Sequence, residues 1–390
     1  MSVFVESIIH ERLSDRAPSA LSPPGGSPVT PTPPNPTPTA TVTWFDPRRE
    51  AAFTRWLEAQ RLAFGLEPAT LRPASADASF RRYLRIDDAA GASRIIMDAP
   101  PDKENCRPFV QVASLMAEAG LLVPRVLAWD EAQGFMLLDD LGQHTMMAVI
   151  DPTRPDANRP LYQRAIDALV AWQAASRPGV LPAYDEALLR RELQLFPDWY
   201  LARHRGVAVE GELRDSLEAL FGLIVRRNLA APTVYVHRDF MPRNLMIPAS
   251  VGEPRLGVLD FQDAVHGPIT YDIASLMRDA FLSWDEEFVL DITVRYWQAA
   301  RKAGLPVDAD FGEFWRAVEW MGLQRHLKVA GIFARLTLRD GKPQYLADAP
   351  RFIAYLRATA RRYRELAPLL KLIDRIEGTA TTEAFSFGRL

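Results

Sequence analysis

Residues 233–268 read TVYVHRDFMPRNLMIPASVGEPRLGVLDFQDAVHGP. A short β-branched run, Val234-Tyr235-Val236, leads into His237-Arg238-Asp239, and Asn244 follows Asp239 by five positions. A second apolar run, Leu256-Gly257-Val258-Leu259, stops at Asp260. Short apolar runs bounded by turn-forming residues are strand signals. Asp239, Asn244 and Asp260 therefore lie at or just beyond strand ends, where side chains converge on one cleft. Phosphoryl transfer needs such a set. One carboxylate orients the attacking hydroxyl and accepts its proton, while an amide oxygen and a second carboxylate supply hard oxygen ligands for Mg²⁺ beside nucleotide phosphates. Asp239 is the expected base, and Asn244 and Asp260 are the expected metal ligands.

Outward from this island the chain changes character. Towards the C-terminus, and between it and residue 143, helical periodicity dominates, over about 158–177, 185–204, 210–228, 271–302, 309–336 and 346–376. Towards the N-terminus, ASFRRYLRIDD and SRIIMDAP read as antiparallel strands joined by the turn at 87–91. Phe109, Val112, Leu115 and Met116 mark a helix ended by Gly120, followed by strands at about 124–129 and 134–138. Asp46 and Pro47 form a helix start, with Phe53, Trp56, Leu57 and Phe64 at helical spacing behind it. The fold class is α+β: a small sheet-based N-lobe (44–142) and a larger, mostly helical C-lobe (143–376), with a tail at 377–390. Residues 18–38 hold nine of the 31 prolines, so 1–43 reads as a disordered tail.

Composition narrows the function classes. Forty-six basic against 49 acidic residues give a formal charge of −3, which argues against sequence-independent binding of nucleic acid. No apolar run approaches the ~20 residues that span a bilayer. Glu6, His10 and Glu11 interrupt any secretory signal, so the expected compartment is the cytoplasm. The single cysteine, Cys106, excludes an intrachain disulfide and a cysteine-based zinc site. The six histidines lack HExxH spacing, and no Gly-x4-Gly-Lys-Ser/Thr loop is present.

H-x-D-x4-N followed by an apolar strand and Asp-Phe matches the kinase catalytic loop and metal segment. The run VHRDFMPRNLMI with GVLDFQDAVHGPITYDIASLMRDAF resembles the aminoglycoside phosphotransferase and choline kinase-like family, which shares the protein-kinase-like two-lobe fold. ADASFRRYLRI, MDAPPDKENCRPF, RELQLFPDWYL and QRHLKVAGIFARL are similar to the bacterial cell-wall sugar kinases. Those place phosphate on the anomeric hydroxyl of N-acetylmuramate and N-acetylglucosamine in peptidoglycan recycling. The resemblance covers about residues 44–376. It implies an enzyme using ATP and Mg²⁺, a small amino sugar as its partner, no nucleic acid or membrane, and a monomer.

Carried over position by position, the resemblance implies Asp239 as base and Asn244 and Asp260 as Mg²⁺ ligands. It implies structural support from His237 and Asp272, and nucleotide contacts from Asp77, Ser79, Phe80, Asp139 and Leu141. Glu192, Arg243, Gln262, Asp263 and Arg325 are the candidate substrate contacts. For Glu192, in a stripe with Phe196, Trp199 and Tyr200, the competing reading is a core face. For Arg325, with His326 and Lys328, it is a solvated charged face. Two departures stand out. Ala76, Asp77, Ala78 and Ser79 replace the glycine-rich phosphate loop, and the third strand offers Met97 or Asp98 instead of a lysine. Lys103, Arg81 and Arg82 are the candidate substitute cations. Choline or an aminoglycoside as acceptor, and a nucleotide-binding module without turnover, remain the alternative functions.

Overall fold

The computed structural model describes residues 42–76, 80–250 and 252–378. The expected tail before residue 42, Asp77, Ser79 and nearly all of 377–390 lie outside the described residues. The chain divides into two compact units. One holds the described residues up to Gln111 together with Pro124–Asp140, and the other holds Val112–Val123 and the described residues from Leu141 onward.

In the first unit, α1 (Pro47–Phe64) starts where expected: Asp46 accepts the backbone N–H of Arg48 at 2.8 Å, and Pro47 occupies the first turn. β1 (Leu66–Ala76), β2 (Arg82–Asp88) and β3 (Ser93–Asp98) precede α2 (Arg107–Glu118), which runs across the division between units. β4 (Val126–Asp130) and β5 (Phe135–Asp139) complete an antiparallel sheet of order β1-β2-β3-β5-β4. β1 is an edge strand carrying Pro68 and Pro73, which cannot donate to a ladder. Its register slips between Glu67 and Arg72 and again between Pro73 and Ser75. Phe53, Trp56 and Leu57 of α1 pack with Leu84, Ile86, Ile96, Phe135 and Leu137 of the sheet into one core.

The second unit opens with β6 (His144–Thr145), α3 (Met146–Val149) and α4 (Arg159–Ala174). The helix expected over 185–204 is two segments. α5 (Glu186–Leu193) gives way to a π-helical stretch, Phe196–His204, with Pro197 in its first turn, where a missing N–H breaks the α ladder. α6 (Gly211–Leu229) precedes β7 (Thr233–Val236), β8 (Leu245–Ile247), β9 (Gly257–Val258) and β10 (Val265–Pro268). β7 pairs with β10, and β8 lies between β6 and β9. The helix expected over 271–302 is also divided. α7 (Thr270–Met277) ends before a non-helical stretch at 278–285, and Asp285 then caps α8 (Glu286–Lys302) by accepting the N–H of Phe288 at 2.8 Å. α9 (Phe311–Asp340) is buried through most of its middle and packs against the π-helical stretch, α7 and α10 (Ala349–Arg362). α11 (Ala367–Glu377) closes the described chain. Among the described residues, no helix is long and apolar enough to cross a membrane.

Candidate active site

The site is built on the two ends of the β7–β9 island, entirely within the second unit. Val234, Tyr235 and Val236 bury β7, and the chain then turns sharply: Arg238 has φ +77° and Asp260, beyond β9, has φ +62°. These left-handed conformations are strained for side-chain-bearing residues and are held only when their surroundings fix them. At Arg238 the fixing group is Asp272, on the first turn of α7. Its two carboxylate oxygens accept the backbone N–H groups of His237 at 2.7 Å and Arg238 at 3.0 Å. Burial pushes the Asp272 carboxyl up to about 7, opposed by those two bonds.

His237 is fully buried and lies between the two acidic loops. Its Nδ1 accepts the backbone N–H of Asp239 at 3.2 Å, so Nε2 carries the proton and donates to the carbonyl of Leu259 at 3.0 Å. Desolvation lowers its pKa to about 4, so the ring is neutral.

Asp239 is 2% exposed, and its Oδ2 has no hydrogen-bond partner among the described residues. Burial raises its pKa well above the usual carboxylate range; Lys328, Arg238 and Arg325 oppose the shift, and Asp260 adds to it. Asn244 donates its amide to the carbonyl of Asp239 at 2.9 Å and reaches Asp260 Oδ2 at 3.4 Å. Gln262 donates to Asp260 Oδ1 at 2.8 Å. Asp239, Asn244 and Asp260 are thus brought together. The Asn244 amide nitrogen faces both the loop carbonyl of Asp239 and the Asp260 carboxylate, and the three side chains together carry the oxygen types that suit a hard divalent cation. Among the described residues no three His, Cys, Asp or Glu side chains cluster in ligating geometry.

The charged cluster on α9 is not a solvated face. Lys328 and Arg238 both bond Glu192 Oε1, at 2.9 and 2.7 Å. Tyr184 and Gln324 donate to Glu192 Oε2, and Lys328 also donates to the hydroxyl of Tyr271 at 3.2 Å. The two cations outweigh desolvation and hold Glu192 down at about 2, so it is ionised. Arg325 donates to the carbonyl of Arg238 at 2.8 Å and lies over the Tyr271 ring. Arg243 is half-buried with its guanidinium 4.1 Å above the Phe281 ring, and the backbone carbonyl of Asp263 accepts from Arg238 at 3.4 Å. Glu192 and Arg325 brace the loop through Arg238. Sequence reasoning gave no role to Arg238, or to Asp279, which lies within the stretch expected as one helix over 271–302.

In the first unit, Phe80 is exposed with the Lys103 ammonium 4.7 Å over its ring. Arg82 and Arg49 both clamp the buried carboxylate of Asp98, and Arg81 pairs with Glu104 at 3.2 Å. The N–H of Asp139 donates to the carbonyl of Arg125, and its carboxylate bonds the Arg125 side chain. In the second unit Leu141 packs against Gly257.

Comparison with known proteins places these features among relatives. Residues 70–310 match the model of a family described as "Phosphotransferase enzyme family". An N-acetylmuramate/N-acetylglucosamine kinase of Pseudomonas aeruginosa is 55% identical over 78% of this chain and 88% of its own length. One of Neisseria meningitidis is 49% identical over 80% of this chain and 93% of its own. Among solved structures, an amicoumacin kinase in complex with AMP-PNP and Ca²⁺ aligns with TM-score 0.55 at 14% identity, covering 78% of this chain and 93% of that one. An ethanolamine kinase of Plasmodium vivax aligns with TM-score 0.54 at 12% identity, covering 82% and 88%. These likenesses establish the kinase-like α+β fold. Their differing acceptors illustrate that such a fold does not fix the substrate.

Proposed function

The chain belongs to the phosphotransferase enzyme family, and from that premise we propose that it is an ATP-dependent kinase of the anomeric hydroxyl of N-acetylmuramate and N-acetylglucosamine, acting in peptidoglycan recycling. The observation that carries the chemistry is the buried Asp239 carboxylate, whose Oδ2 has no hydrogen-bond partner among the described residues, beside Asn244 and Asp260. The substrate class follows the names of the relatives.

The Asp239 carboxylate accepts the proton of the C1 hydroxyl as the hydroxyl oxygen attacks the γ-phosphorus. The phosphorus–oxygen bond to ADP breaks as the new one forms. Burial strengthens Asp239 as a base, while Lys328, Arg238 and Arg325 favour its ionised form. Asp260 and the amide oxygen of Asn244 would hold Mg²⁺, which neutralises charge on the nucleotide phosphates when bound. Asp272 and His237 hold the loop so that Asp239 does not reorganise during transfer. Gln262 orients Asp260.

Mass spectrometry of products from ATP with N-acetylmuramate, N-acetylglucosamine, choline or kanamycin tests this reading. Phosphate on C1 of the two sugars is expected. Phosphate on choline or kanamycin, with none on either sugar, would overturn the assignment.

A further inference from the structure

We propose that Asp279 is a substrate-binding residue that reads a ring donor common to both amino sugars: the C4 hydroxyl, the C6 hydroxyl or the acetamido N–H. The inference rests on the sugar-kinase reading and adds the group that recognises the acceptor.

Asp279 lies in the non-helical stretch between α7 and α8 and is 3% exposed. Its Oδ1 accepts the backbone N–H of Phe281 at 3.0 Å, which closes the turn. Its Oδ2 is buried and has no hydrogen-bond partner among the described residues. An unpaired buried carboxylate oxygen opposes folding, and its retention calls for a use.

The surroundings point to that use. The cations acting on Asp279 are Arg243, Arg325 and Arg351. Arg243 stands in the catalytic loop between Asp239 and Asn244, and its guanidinium lies on Phe281, in the same turn as Asp279. Arg325 bonds the carbonyl of Arg238 and acts on Asp239 as well. The packing of Arg243 on Phe281, whose backbone N–H Asp279 accepts, therefore joins the Asp279 turn to the loop that carries the base. A carboxylate with a spare lone pair takes an O–H or N–H and repels an anion. N-acetylmuramate and N-acetylglucosamine differ at C3, where one bears an anionic lactyl ether. An acidic acceptor reading a donor away from C3 serves both.

The test compares kcat/KM for N-acetylglucosamine, its 4-deoxy and 6-deoxy analogues, and 2-deoxyglucose, in wild type and Asp279→Asn. Wild type should lose about 10- to 100-fold on the analogue lacking the bonded group. In Asp279→Asn that loss should shrink to within about threefold, because the partner has gone. A role confined to closing the turn would slow all four sugars alike and leave the ratios unchanged, which overturns the inference. If the asparagine variant does not fold, Asp279→Ser carries the same comparison. A wild type that uses all three analogues as well as the parent sugar overturns the inference without any variant. Failure of the wild type to phosphorylate N-acetylglucosamine at all would instead overturn the kinase reading and this inference with it.

Discussion

Asp272 Oδ1 accepts the backbone N–H of Arg238 at 3.0 Å, at a residue held with φ +77°. The other oxygen takes the N–H of His237, so one carboxylate fixes two consecutive peptide groups of the catalytic loop. Asp272→Ala leaves both donors buried and unpaired and removes what holds a strained backbone. It should lower the unfolding free energy by about 3 kcal/mol in urea titration and cut turnover at least tenfold. Asp272→Asn keeps one acceptor and should fall between alanine and wild type.

Glu192 neutralises two buried cations, Arg238 and Lys328. Removing one member of such a group leaves uncompensated charge. Glu192→Gln should destabilise by about 3–5 kcal/mol in chemical denaturation, far more than loss of a surface pair such as Arg190–Glu186.

Gly331 of α9 lies against the backbone of Leu195: an added Cβ would stand 2.3 Å from its carbonyl oxygen. Backbone cannot swing aside as a side chain does. Gly331→Ala should cost about 2–3 kcal/mol through forced separation of α9 from the segment leading into the π-helical stretch, visible as a lower Tm.

His326 is buried under Tyr355, with its ring stacked at 4.6 Å, and bonds the carbonyl of Arg278 through Nε2. Desolvation, with smaller contributions from Arg278 and Arg325, lowers its pKa from 6.5 to about 3. Between those values the unfolded chain binds a proton that the folded chain does not, so this residue makes stability rise with pH from about 3 to 6.5 and stay level above. Buried acids such as Asp279, at about 6, act in the opposite sense. The clean readout is therefore a difference: in His326→Gln the slope of unfolding free energy against pH from 4 to 6 should be lower than wild type by about one proton, or about 1.4 kcal/mol per pH unit. An unchanged slope would contradict a neutral buried His326.

The loop from Val234 to Asp260 was legible because its residues are close in sequence and each strand end is marked by a polar residue. The neighbours that brace it were less so. Arg325 and Lys328 read as a solvated face because their partners, Arg238 and Glu192, are 87 and 136 residues away. Spacing along a helix reveals which residues share a face, while the face's environment depends on what packs there. Similarly, Asp98 stands where a strand lysine was sought, and its pairing with Arg49 and Arg82 depends on an N-terminal helix laid near β3. The breaks at Pro197 and at 278–285 interrupt patterns whose apolar spacing continues through them.

The central claim is that Asp239 is the base, and Asp239→Asn tests it most directly. Turnover of N-acetylglucosamine with ATP should fall by about 10²- to 10⁴-fold, while calorimetric ATP affinity and Tm stay close to wild type. Turnover within a few fold of wild type would contradict the account.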